Sequence, residues 1–154
     1  MRAPVLLSNL ASLCALAACA TTPDPVVVPL APAPSNAGSF AQATLLPAPD
    51  GTRMTVFFTA AGPQPTSPLH VYTYLYEGRC EALPQQPARA LNDNVLVRTA
   101  NGDIAQSRRG AFMLSHAVPL PLAELADGRY ALVLRSSPAD GGGLLYCGEL
   151  RGLA

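Results

Sequence analysis

From Leu69 to Tyr76 the chain alternates strictly, with Leu69, Val71, Thr73 and Leu75 on one side and His70, Tyr72, Tyr74 and Tyr76 on the other. That period of two is the mark of a half-buried β-strand. Four residues later stands Cys80, a thiol that needs a partner. The chain has four cysteines. Cys14 falls in an apolar leader and Cys19 closes it, which leaves Cys147 near the C-terminus. Cys80 and Cys147 make an even pair, and in an oxidising compartment a bridge between them persists. A redox or metal-binding thiol pair is the other reading, but there is no C-x-x-C spacing and no neighbouring His to support it. A bridge would close a loop of roughly 68 residues, for which chain entropy gives roughly 4 kcal/mol at the upper end. The strand at 69–76 and the last strand of the chain are therefore expected to lie together.

The leader sets the compartment. Arg2 is a short positive start, Ala3 to Ala18 is an apolar run, and the stretch is too short to span a bilayer comfortably. It ends Leu16-Ala17-Ala18-Cys19, which resembles the bacterial lipobox, where small residues precede a cysteine that is diacylated and becomes residue one after cleavage. The alternative is an ordinary secretory signal cut at an Ala-x-Ala type site. Acyl chains on Cys19 would anchor the protein at about 0.8 kcal/mol per buried CH₂. Ala20 follows the cysteine in place of Asp, which in enteric-type lipoproteins resembles an outer-membrane sorting signal. Residues 1–19 are thus expected to be a lipoprotein signal peptide on a chain displayed in the bacterial envelope, facing the periplasm.

Residues 20–37 carry Pro23, Pro25, Pro29, Pro32 and Pro34. Each fixes φ and removes a donor, so this stretch is expected to be an extended tether of roughly 3.1 Å per residue where it is polyproline II. Val26-Val27-Val28 is β-prone, but closely flanked by proline, and it reads as spacer. The folded domain is expected over 38–154.

Within that domain, short strand-like runs are separated by turn residues, the pattern of an all-β sandwich or barrel. Strands are expected at 39–46, 53–59, 69–76, 94–99, 111–118, 129–135 and 144–150, with one helical turn within 119–125. Sixteen Pro and twelve Gly argue against long helices. Ten basic residues, all Arg, balance ten acidic ones. That balance leaves no electrostatic footprint for nucleic acid.

Three segments together resemble Cu,Zn superoxide dismutase-like domains. Leu69 to Cys80 is similar to the family's metal-binding strand, in which a His-x-His pair is followed by Gly and then a cysteine. Gly141-Gly142-Gly143-Leu144-Leu145-Tyr146-Cys147-Gly148 is similar to its C-terminal strand, where a Gly-rich loop leads to a Cys-Gly pair. Leu122 to Leu134 resembles its penultimate hairpin. The resemblance covers about 39–154. It implies a Greek-key β-sandwich or flattened barrel whose single disulfide joins Cys80 and Cys147.

The departures bear on function. The family's His-x-His pair falls on Tyr74 and Tyr76, a later copper-ligand His on Leu134, and a substrate-guiding Arg on Leu144. No His-rich zinc loop lies between Cys80 and Val95. A redox metal that cycles between charge states needs several imidazoles, and the whole chain has two His, His70 and His116. No cofactor, metal site or catalytic residue is expected. Tyr74, Tyr76 and Leu134 are instead expected to form an aromatic-aliphatic patch where the metal would have been, a candidate surface for an envelope protein partner.

The remaining polar residues have simpler explanations. Ser115 and His116 are neighbours on a strand and point to opposite faces. Asp93 and Asp103, with Asn92, Asn94 and Asn101, read as turn chemistry more than as calcium ligands. Arg108-Arg109 reads as a solvated strand entry, and Gly141-Gly142-Gly143 as a mobile hairpin loop. The expected function is a non-catalytic binding or structural module. The alternatives are a copper- or zinc-handling or residual oxidoreductase module using His70, His116 or the tyrosines, and an inhibitor of a hydrolase.

Overall fold

The computed structural model describes residues 24–152, so Cys19 and the leader at 1–19 lie outside the described residues. The chain forms β1 (Val26–Pro32), β2 (Ala41–Ala48), β3 (Gly51–Ala60), β4 (Val71–Glu77), β5 (Arg89–Ala90), β6 (Arg98–Thr99), β7 (Arg109–Val118), a single helical turn α1 (Leu122–Leu125), β8 (Asp127–Ser136) and β9 (Leu144–Arg151). The strands lie in the order β5-β4-β8-β9-β1-β2-β3-β7-β6, and all neighbours are antiparallel. Among the described residues no helix is long and apolar enough to cross a membrane.

The alternation in sequence becomes burial. Met54, Val56 and Phe58 of β3 are buried, while Thr55, Phe57 and Thr59 between them are half-exposed. Phe112, Leu114 and Val118 of β7 do the same opposite them, and the rings of Phe58 and Phe112 lie 5.5 Å apart. Leu132 and Leu134 of β8 and Leu75 of β4 complete the interior from the other half of the sheet. In β9 two consecutive residues, Leu145 and Tyr146, reach this core. The register slips there, since Leu134 faces Tyr146 but Arg135 faces Leu144. The extra residue of a β-bulge turns both side chains inward.

β1 joins the two halves of the sheet. Val26 to Leu30 pair with Leu45 to Ala41 of β2, after which Ala31 and Pro32 pair with Cys147 and Tyr146 of β9. The sheet curls at this handover. On the far side the irregular stretch 89–99 runs between β4 and β7. The Leu91 N–H donates to the Thr73 carbonyl at 2.8 Å, the Val71 N–H to Val95 at 2.9 Å and the Val97 N–H to Leu69 at 3.0 Å, and Arg98 then faces Met113 of β7. The result is a curled half-barrel around one core.

β1 corrects the expected tether. Val28 and Leu30 are buried and pack in the main core, so the folded unit begins by Val26 and not at residue 38. Proline is tolerated because at Pro29 the strand is paired with β2 alone, so only one ladder is in place there. Gly148 lets β9 approach it. A Cβ at that position would stand 2.4 Å from Leu30 Cδ2 and 2.6 Å from the Pro29 carbonyl oxygen.

The pairing also sorts the connections by end. The β2–β3 turn, the link from β7 through α1 to β8, and the start of β1 share one end, because Val26 faces Leu45, Ala48 faces Gly51 and Thr52 faces Val118. The β1–β2, β3–β4 and β8–β9 connections share the other.

Candidate functional site

Cys80 and Cys147 are bonded, with Cα atoms 5.9 Å apart. Cys80 lies three residues beyond β4. The bond therefore holds the segment after β4 against β9, over the outer face of the sheet. Under that cover Tyr76, Ala131, Val133 and Cys147 form a second, smaller core, with Tyr74, Cys80, Leu83 and Leu144 packed against it. Clusters of this kind form beneath long covering segments.

This arrangement corrects the expected patch. β4 pairs with β8 so that Thr73 faces Leu134 and Tyr74 faces Val133. Residues paired across strands share a face, so Leu134 lies with Thr73 on the inner side and Tyr74 with Val133 on the outer side. Leu134 is 0% exposed in the main core, and Tyr76 is 5% exposed beneath the covering segment. The Tyr74 and Tyr76 rings are 6.4 Å apart and tilted. The three residues do not form one surface.

The two histidines also part company. His70 is half-exposed, and its backbone bridges to Leu96. His116 is 6% exposed on the inner side of β7, and its Nε2 has no hydrogen-bond partner. Ser115 beside it is exposed, as alternation requires. Burial lowers the His116 pKa from 6.5 to about 4, opposed by the nearby Asp93 carboxylate, so the ring is neutral at pH 7. Among the described residues no three His, Cys, Asp or Glu side chains converge as metal ligands would. Asp103 and Arg98 belong to a turn, in which the Thr99 N–H donates to the Asp103 carbonyl and Arg98 to that of Gly102.

At the end of the sheet away from the start of β1, three connections enclose a cleft of about 470 Å³. Ser35, the stretch Ala61 to Thr66, and the β8–β9 connection line it. A buried polar network holds its base. Asn36 donates to the Ala60 carbonyl at 3.1 Å and accepts from the Gly62 N–H at 3.2 Å. The Tyr146 hydroxyl accepts from the Ala60 N–H at 3.2 Å and lies 2.8 Å from Ser39 Oγ. One network thus ties β9, the end of β3 and the β1–β2 connection.

Hydrogen bonds fix the turn of the β8–β9 connection. Ser137 Oγ accepts from the Ala139 N–H at 3.1 Å, and its carbonyl accepts from Asp140 at 2.8 Å and Gly142 at 2.9 Å. Ser136 Oγ accepts from the Gly143 N–H at 2.9 Å. Gly141 and Gly142 sit at φ of 90° and 61°, where a side chain would be strained, and this lets the loop turn back into β9. The turn fixes Asp140 at the cleft, where its Oδ1 accepts from the Thr66 N–H at 2.8 Å.

No family model, curated protein or solved structure matches the chain.

Proposed function

We propose that this chain is a lipid-anchored protein of the bacterial envelope whose superoxide dismutase-like domain acts as a binding module and not as a catalyst. The cleft between the β1–β2, β3–β4 and β8–β9 connections carries the binding reading. It is concave and mixed in polarity, and hydrogen-bonded side chains fix its walls, as ligand sites require.

Two features support the family reading. The chain moves from one half of the sheet to the other between β3 and β4, between β5 and β6 and between β7 and β8, as Greek-key connections would. The bridge from just beyond β4 to the last strand is the one the resemblance implies. The non-catalytic reading rests on what stands at the family's ligand positions. Tyr74 and Tyr76, where the resemblance puts the His-x-His pair, belong to the outer cluster, so aromatic packing and not imidazole fills that face. Anchoring is assigned to acyl chains on Cys19, and the outer membrane to the residue that follows it.

Metal content tests the proposal. The protein is isolated from the periplasmic side with its disulfide intact and analysed before and after titration with copper and zinc. Each metal is expected to stay well below one per chain after dialysis. Tightly held stoichiometric copper or zinc would overturn the reading and make redox assays the next step.

A further inference from the structure

We propose that the cleft binds an alkylammonium or guanidinium group, with Asp140 as its counter-charge. This names the ligand chemistry of the cleft and rests on the binding-module reading. Asp140 is the sole ionisable side chain among the described residues that line the cleft. Its Oδ1 is occupied by the Thr66 N–H, while Oδ2 is buried with no hydrogen-bond partner. A carboxylate oxygen held away from water without a donor is costly, and a charged donor returns the most for it.

The two arginines bonded to the backbone around the cleft do not supply that donor. Arg108 donates to the Pro63 carbonyl at 3.0 Å and Arg135 to that of Gly142 at 3.3 Å, and neither forms an ion pair with Asp140. Both guanidiniums brace the backbone of the cleft walls. The rest of the lining suits a cation on an aliphatic stem. Pro63, Pro65, Leu144 and Leu145 offer apolar flanks, and Ser35 and Gln64 offer oxygen acceptors for the remaining N–H groups. For the pair to form, the carboxylate must turn Oδ2 out of the burial it has here and toward the cleft.

Such a group could belong to a free polyamine or to a Lys or Arg side chain of a peptide. Calorimetry on the full chain in detergent separates the two sources with spermidine, acetyl-Gly-Lys-Gly-amide and acetyl-Gly-Arg-Gly-amide as probes, and acetyl-Gly-Gln-Gly-amide as the neutral control. At least one cationic probe is expected to bind saturably, and the tighter class identifies the source. The neutral peptide should not bind. Hydrogen exchange should slow only in 61–66 and 136–145. Asp140→Asn should weaken binding about tenfold or more, the loss of one charge-assisted contact. If that variant does not fold, Gln64→Arg serves, because it sets a guanidinium at the exposed mouth and should block the probes. Failure of every cationic probe to saturate, undiminished binding in the variants, or protection elsewhere would overturn the inference. Metal analysis of the same preparation keeps the two failures apart. Bound metal counts against the binding-module reading, whereas silent probes on metal-free protein count against the ligand alone.

Discussion

At the scale of single residues, Gly148 and His116 show two opposite demands of this interior, one of space and one of polarity. Gly148 faces no backbone constraint of its own; what it lacks is space. A methyl there would meet Leu30 and the Pro29 carbonyl at the seam between β1 and β9. Overpacking of this kind costs about 1–3 kcal/mol. Gly148→Ala should therefore lower the urea midpoint with the m-value unchanged, and an unaltered midpoint would show that the seam is looser than it looks. His116 is the opposite case, a polar group where the sheet needs an apolar one. Its folded pKa of about 4 lies below its ordinary 6.5, so the native state holds the neutral ring. Above pH 6.5 this costs nothing. As pH falls below 6.5 the unfolded chain takes up a proton that the folded chain refuses. Stability should drop until about pH 4, by up to about 3 kcal/mol. His116→Leu should remove that slope, which urea melts at pH 7.5 and pH 4.5 would reveal as a smaller difference than in the parent.

At the scale of elements, β1 is where sequence and structure disagree most. β2, β3, β4 and β7 were legible because each is half-buried and so alternates, whereas β8 and β9, covered on both faces, read as apolar runs between turn residues. β1 alternates too, with Val28 and Leu30 inside, but its prolines outweigh the pattern when the strand is read alone. They are tolerated through a fact no single strand reveals, namely that at Pro29 the strand has a ladder on one side only. β5 was missed because two residues carry no period. The patch failed for a related reason. Alternation places Tyr74 and Tyr76 on one face of β4 correctly, but the addition of Leu134 came from the resemblance, and the register sets it on the other face. The disulfide was legible by counting. The cleft was not, because its walls come from three connections distant in sequence and without periodicity. A truncation tests the corrected boundary. A chain starting at Gly38 would leave the inner edges of β2 and β9 bare and remove Val28 and Leu30 from the core. It should aggregate or lose cooperative melting, whereas one starting at Asp24 should melt cooperatively.

At the scale of the whole molecule, the curled sheet has two unlike ends. One receives the chain at Val26, and the other holds the cleft. If Cys19 carries acyl chains, Cys19→Ser should move the protein from the membrane to the soluble fraction while leaving the Cys80–Cys147 bridge intact. Continued sedimentation with membranes would reassign the anchor. The early start of β1 then has a mechanical meaning. Seven residues from Cys19 to Val26 can span at most about 25 Å, so on such an anchor the leash would be short. On that anchor, a domain held so closely would stand with its entry end nearer the lipid and its cleft farther out. So anchored, it would sweep little of the space around it. Anything the proposed cleft captured would have to come to it, and would then be held at a nearly constant height above the bilayer.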